Sequence, residues 1–401
     1  MIKALRGMKD TLPPQSYKYN YFIENCTKIV KKYGFEFIET PILEETSLFK
    51  RSVGESSDIV GKEMYQFIDK GGNDVCLRPE GTAGVVRSFI ENKMDRQGLK
   101  QKFFYYGPMF RYERPQKGRL RQFHQFGVES FGETSVLEDV SIIMMIKEIL
   151  DFFAINYTLK LNSLGCHECM PSYKNGLVEK LEKIEGLCED CKRRKLTNPI
   201  RVFDCKNENC QNLIKDLPRI KDALCDSCKS DFETLLSMLD ELGVKYELDS
   251  NLVRGLDYYN KTAFEFVSTD LGAQNAVAGG GRYDRLVEFL DGKPTPAIGF
   301  AIGIERLLDM IETPKQTREG YYFGAMDEEA IKTLYKEANH YRKDHKVIVS
   351  YDKKSLKAHL KAADREMARY CVIIGENELK DGKLWVKDLV EKKELLVDFK
   401  G

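Results

Sequence analysis

The chain has 401 residues, and its 63 Lys and Arg are balanced by 63 Asp and Glu. That length predicts two or three domains with a substantial core, and the neutral balance excludes a global polybasic signal, so a nucleic-acid partner must be met by local patches. No apolar run approaches the ~20 residues that span a bilayer, and the opening MIKALRGMKD lacks the apolar core of a signal peptide, so a cytoplasmic protein with no membrane partner is expected.

Residues 16–34 mix Tyr, Phe, Ile and Val with Lys and Glu at helical spacing and stop at Gly34, a helix C-terminal signal. FEFIETPILEE follows as a strand broken by Pro41, which alone says edge or bend. MYQFIDKGGNDVCL then reads as a hairpin, and RPEGT at 78–82 leads into a helix with Glu80, Gly81 and Thr82 at its start. Taken alone, that position gives Thr82 a capping role.

Residues 110–129 read as strand, Pro/Gly-containing loop, strand: a hairpin with a basic tip. Arg111, Arg114, Lys117, Arg119 and Arg121 face one acid, Glu113, while Gln125 and Glu129 project from one side of the outgoing strand. Arginine forks make paired, charge-assisted hydrogen bonds to phosphate or carboxylate oxygens. The pattern therefore points to a polyanion held beside a polar pocket. Residues 136–157 are an apolar core helix, followed by the strand TLKLNSLG.

From Cys166 to about Gly243 the chain is Lys/Glu-rich, helical and cysteine-paired, and reads as an insertion between two halves of a sheet. Eight of the eleven cysteines fall here, as Cys166–Cys169, Cys188–Cys191, Cys205–Cys210 and Cys225–Cys228. In a protein with no export signal, CxxC pairs point to thiolates converging on structural Zn2+. Cys188, Cys191, Cys225 and Cys228 form the expected four-ligand set, with Cys205 and Cys210 next. One site with spare cysteines, two sites, and a group of buried thiols without metal all remain open. Cys26, Cys76 and Cys371 sit in apolar contexts and read as packing residues.

LVRGLDYYNKTAFE at 252–265 returns to strands around Gly255, AVAGGGRYD at 276–284 is a glycine run between strand and helix, and AIGFAIGIERL at 297–307 is a strand and amphipathic helix. A tyrosine pair is by itself core, a triple glycine a weak phosphate-loop signal, and a first-turn arginine a surface ion pair. A polar linker at 312–319 precedes a unit whose strands alternate with helices, which predicts a small α/β domain with a mixed sheet. Its residues 332–369 carry eleven Lys and Arg against five Asp and Glu, a patch suited to RNA.

Together, RPEGT, RYERPQKGRLRQFHQ at 111–125, RGLDYY, GGGRYD and GIERL, in this order, resemble the signature segments of the histidyl-tRNA synthetase family of class II aminoacyl-tRNA synthetases, over nearly the whole chain from RGMKD at 6–10. The resemblance implies an α+β fold: an antiparallel sheet flanked by helices, a helical insertion and a C-terminal anticodon-binding domain. The expected boundaries are 1–165 and 244–318 for the catalytic domain, 166–243 for the insertion and 320–401 for the tail. It implies a homodimer built on the first helix and strand, with tRNA(His), L-histidine and ATP with Mg2+ as partners. Arg254 and Arg111 match catalytic arginines. Glu80, Gly81, Thr82, Gln125, Glu129, Tyr258, Tyr259 and Tyr283 match the histidine pocket. Glu113, Arg119 and Arg306, with Arg111, match the nucleotide site, and Arg114 and Gln116 are the candidates for the tRNA acceptor end. After its tyrosines the family usually has Gly or Thr-Gly, where this chain has Asn260-Lys261. Two rivals remain: a non-catalytic synthetase-like regulatory subunit of histidine biosynthesis, and a zinc-dependent RNA-binding module.

Overall fold

The structure, a computed structural model, describes residues 2–400 apart from 55–56, 117, 272–274 and 316, so Lys117 and Gln316 lie outside the described residues. It divides into two units, Met1–Thr313 and Pro314–Gly401. Among the described residues no helix is long and apolar enough to cross a membrane.

The first unit contains strands β1 (Glu36–Phe37), β2 (Leu43–Glu45), β3 (Tyr65–Ile68), β4 (Asp74–Leu77), β5 (Gln101–Phe110), β6 (Gln122–Phe131), β7 (Thr158–Ser163), β8 (Glu247–Leu248), β9 (Asn260–Val267), β10 (Ala276–Arg282) and β11 (Ala297–Gly303). Eight of them form one sheet in the order β1-β5-β6-β11-β10-β9-β7-β8, antiparallel except where the short edge strands β1 and β8 pair in parallel. β2, β4 and β3 form a separate three-stranded sheet. Pro41 falls between β1 and β2, which is why the apolar run reads as one strand and folds as two.

The alternation along each strand sorts core from site. On β11, Ile298, Phe300 and Ile302 join Phe104, Phe126, Phe264 and Phe266 in a core with helices α1 (Gln15–Lys32) and, later in the chain, Val136–Phe152. That later helix begins at Ser135, whose hydroxyl accepts from Leu137 N (3.2 Å), and its all-round apolar character matches its burial. Between the Ile and Phe positions, Ala297, Gly299, Ala301 and Gly303 turn small side chains to the opposite face. Each fully buried Ile or Phe is worth roughly 2–3 kcal/mol, so a one-residue slip of β11 would forfeit on the order of 6 kcal/mol or more. Register and cleft floor are thus set by the same residues.

The insertion lies within the first unit. Its helices Cys169–Glu182, Glu189–Thr197, Glu208–Ile214 and Asp226–Glu241 enclose a small core of Tyr173, Leu177, Leu181, Ile200, Val202, Phe203 and buried cysteines.

In the second unit, β12 (Tyr321–Ala325), β13 (Val347–Val349), β14 (Tyr370–Ile374), β15 (Lys383–Asp388) and β16 (Glu394–Asp398) form a mixed sheet in the order β13-β12-β14-β15-β16. The aromatic strand YYFGA is not at an edge. Tyr321 stacks on Tyr370 (centroids 4.8 Å apart), while Tyr322 and Phe323 are buried on opposite faces. Helices Ala330–Tyr341 and Leu356–Arg365 complete the α/β unit.

Candidate active site

Odd positions of β6 point Gln125, Gly127 and Glu129 at the sheet face that carries the small residues of β11, and register places Tyr105 opposite Gly127 and Gly299 opposite Glu129. Glu129 is 1 % exposed. Its Oε1 accepts hydrogen bonds from Thr82 Oγ1 (2.7 Å) and Tyr105 Oη (3.1 Å), and its Oε2 accepts one from Tyr283 Oη. A Cβ at position 299 would stand 2.0 Å from Glu129 Oε2, so only glycine lets the carboxylate occupy this place. Burial, opposed by the hydroxyl donors Tyr283 and Thr82 and reinforced by the charge of Glu80, pushes its carboxyl up to about 8.

Glu80 is the true cap of the helix Thr82–Glu91. Its two oxygens accept from Thr82 N (2.6 Å) and Ala83 N (2.9 Å), satisfying orphan donors at the positive end of the helix. The capping role that its position gives Thr82 is therefore taken by Glu80, and the Thr82 hydroxyl turns to Glu129. Gly81 allows the Tyr105 ring to pass, because a Cβ there would lie 2.2 Å from it. Tyr258 and Tyr259 pack against Tyr283 with ring centroids 5.6 and 6.5 Å away.

A second group of side chains is cationic. Arg111 donates from Nε to Pro79 O (2.9 Å) and lies 5.2 Å from the Phe123 ring centre. Arg254 pairs with Glu265 (2.9 Å) and lies 5.6 Å from the Tyr259 ring centre. A Cβ on residue 279 would stand 2.5 Å from the Arg254 guanidinium, which places the first glycine of GGGRYD directly beneath it. Arg306 donates to Gly118 O (3.0 Å) and Ala276 O (2.7 Å), and Arg119 forms an ion pair with Glu113. Burial, then the charges of Arg119 and Arg111, lower the pKa of Arg306. Four guanidinium groups from three separate segments thus line one cleft together with Glu80, Thr82, Glu113, Gln125, Tyr258 and Tyr259. Among the described residues, Gln125 Oε1 and Arg254 Nε are buried with no hydrogen-bond partner, the state expected of groups that meet a ligand.

Arg114 and Gln116 are not in the cleft wall. They are exposed at the hairpin tip, where Gln116 and Arg119 exchange backbone hydrogen bonds of 3.1 and 3.0 Å. Arg282 of GGGRYD is structural: it is buried against Asp139 (2.8 Å) and donates to Glu133 O and Ser135 O. Tyr105 and Glu265 belong to the site but are absent from the residues expected on sequence grounds. Both sit in aromatic-rich strands whose composition says core, and only their register reveals them.

The cysteines gather otherwise than their spacing implies. Cys188, Cys191, Cys225 and Cys228 do not form one set. Cys166, Cys169, Cys225 and Cys228 form one group and Cys188, Cys191, Cys205 and Cys210 another, with sulfurs in each group within 4.8 Å of one another. Spacing identifies the pairs. The partner of each pair depends on which helix starts adjoin, as where Cys225 N donates to Cys169 Sγ (3.2 Å) and Cys188 N to Cys210 Sγ (3.2 Å).

A family model described as histidyl-tRNA synthetase matches residues 7–172 and 178–307, and one described as an anticodon binding domain matches 319–400. The chain belongs to the histidyl-tRNA synthetase family. It is 63 % identical to the histidine–tRNA ligase of a Nitratiruptor species, over 100 % of this chain and 98 % of that protein. The histidine–tRNA ligase of Sulfurimonas denitrificans is 62 % identical over 98 % of each. The crystal structure of apo histidyl-tRNA synthetase from S. aureus superposes with a TM-score of 0.84 at 36 % identity, covering 99 % of this chain and 97 % of that one. An ATP phosphoribosyltransferase regulatory subunit/histidyl-tRNA synthetase from Bacillus halodurans C, at 19 % identity and a TM-score of 0.65 over 94 % of this chain and 98 % of that one, shares the fold. As a histidyl-tRNA synthetase family member, the chain carries the α+β architecture with a C-terminal mixed-sheet anticodon-binding domain.

Proposed function

We propose that the protein is a cytoplasmic histidine–tRNA ligase: it activates L-histidine with ATP to histidyl-adenylate and pyrophosphate, then transfers the histidyl group to the 3′ end of tRNA(His). The observation that carries this reading is one cleft lined by four arginines, whose wall residue Thr82 hydrogen-bonds the buried, hydroxyl-bound carboxylate of Glu129.

Glu129 accepts a ring N–H of the substrate imidazole, with Tyr283 closing that side and Gln125 and Tyr259 completing the pocket. An isostere without that donor would bury Glu129 with one hydrogen bond fewer than histidine gives it and set an unmatched group against the carboxyl, which is how such a site discriminates. Glu80 and Thr82 take the α-ammonium, and Gly81 between them leaves room for the Tyr105 ring that donates to Glu129. The substrate carboxylate attacks the α-phosphate, pyrophosphate leaves, and negative charge grows on the phosphoryl oxygens. Arg254 and Arg111, which line the cleft, receive that charge in this reading without a covalent enzyme intermediate. Arg119 and Arg306, with Glu113, hold the nucleotide. The carboxylates of Glu113 and Glu265 face the same cleft and fit Mg2+ carried on the triphosphate, which would draw charge from the leaving group. The exposure of Arg114 and Gln116 outside the cleft wall supports a role at the acceptor end, and the basic charge of 332–369 supports anticodon binding by the second unit. Ile42, Leu43, Phe67 and Ile68 are 42–65 % exposed around the three-stranded sheet, which supports a homodimer through that region.

A regulatory subunit without catalysis needs none of these arginines, and an RNA-binding module needs no buried Glu129. ATP–pyrophosphate exchange stimulated by histidine, and by no other amino acid, tests the reading. Exchange that is absent, or indifferent to histidine, overturns it.

A further inference from the structure

The cysteine-rich insertion holds chemistry that neither activation nor transfer uses. None of its eight cysteines is joined in a disulfide, and most are buried. The sulfurs of Cys166 and Cys169 are 3.7 Å apart, those of Cys166 and Cys225 3.8 Å, and those of Cys188 and Cys205 3.8 Å. A disulfide would bring two sulfurs to about 2.05 Å. Four thiolates around one tetrahedral ion at about 2.3 Å stand about 3.8 Å from one another, the edge of that tetrahedron. An iron–sulfur cluster spreads its cysteines around a larger inorganic core. Only the single-ion geometry matches both groups.

The backbone is arranged for thiolates as well. Glu168 N donates to Cys166 Sγ (3.4 Å) and Cys225 N to Cys169 Sγ (3.2 Å), and in the other group Asn207 N donates to Cys205 Sγ (3.5 Å) and Cys188 N to Cys210 Sγ (3.2 Å). Hydrogen bonds of this kind stabilise negative sulfur and orient it for a metal. The same four-part arrangement therefore occurs twice, once with two CxxC pairs and once with a CxxC and a longer pair.

We infer that the insertion carries two structural Zn2+ ions in nested order, one held by Cys166, Cys169, Cys225 and Cys228 and the other by Cys188, Cys191, Cys205 and Cys210. The outer site joins the place where the chain leaves β7 to the start of the helix Asp226–Glu241, and the inner site lies wholly within the span so closed. Helices of 7 to 16 residues around so small an apolar core are marginal unaided, and metal binding supplies folding free energy there. The inner module also reaches the catalytic loop: Asn198 Nδ2 donates to Asp257 Oδ1 (2.8 Å) within RGLDYY, and Arg193 pairs with Asp58 (2.6 Å). Zinc thus holds the wall behind Arg254 and Tyr258 without touching substrate.

Elemental analysis of the full chain, purified under reducing conditions without chelator, should give two zinc ions per polypeptide. Cys191→Ser with Cys205→Ser should retain one, and Cys169→Ser with Cys228→Ser should also lose one. Should a variant fail to fold, the wild-type protein is stripped and reloaded with Co2+, where two equivalents should each develop tetrathiolate charge-transfer bands. Zero or one metal per chain, iron in place of zinc, or cobalt bands that saturate below two equivalents would overturn the inference. Metal content is read independently of pyrophosphate exchange, so either reading can fail alone.

Discussion

Replacing Glu129 by Gln should separate what this side chain does for the ligand from what it costs the fold. Its carboxyl titrates near 8 in the folded protein, against 4.5 for an ordinary Glu, with burial the largest cause. A folded-state pKa raised in this way gives stability that is complete below the unfolded value and is lost as pH rises through the folded one. For values of 4.5 and about 8, the loss is roughly 3 kcal/mol by pH 7 and under about 1 kcal/mol at pH 5. Glu129→Gln cannot ionise, keeps an acceptor for two of the three hydroxyls and offers an amide to the third. Urea denaturation of the catalytic unit should therefore show the variant ahead of the parent by up to ~3 kcal/mol at pH 7, with the gap shrinking to under ~1 kcal/mol at pH 5. Histidine-dependent exchange should fall about 10²-fold or more, because a buried polar mismatch is left against the imidazole. A stability difference that does not change with pH, or unimpaired exchange, would refute the argument.

Arg254→Ala should lower adenylate formation by about 10²- to 10³-fold, the scale of losing one preorganised donor to a developing anion, while the denaturation midpoint moves little; near-normal exchange would remove Arg254 from the reacting centre. Deleting residues 320–401 should damage tRNA charging far more than pyrophosphate exchange, and equal losses would argue against an anticodon-reading tail.

Much of the site is written in local pattern. The basic tip between two alternating strands gives the β5–β6 hairpin, and AIGFAIG alone shows a strand with small residues on one face and large ones on the other. What local pattern does not carry is partnership across the sheet. Tyr105 and Glu265 become site residues only because register sets them beside Gly127 and Gly279. The cysteine pairs are equally legible one by one and ambiguous as fours, since their grouping depends on helix starts brought together by packing. Glu80 overturned a propensity argument for a similar reason: a carboxylate two residues before the helix reaches two backbone donors, where the Thr82 hydroxyl finds a tertiary partner.

The departure at Asn260-Lys261 has a geometric explanation. β9 and β10 slip register between Gly281 and Arg282, and within that bulge Lys261 adopts φ +45°, a left-handed backbone that glycine takes with less strain. The lysine spends about 1 kcal/mol on that conformation and gains a long arm, which reaches Asp231 at 3.0 Å on the insertion helix Asp226–Glu241. Its main chain meanwhile bonds to Leu164 and Gly165, the last residues before the insertion departs. A single awkward residue thus acts as a rivet, clamping the exit of the catalytic loop, the root of the cysteine module and its closing helix at one point.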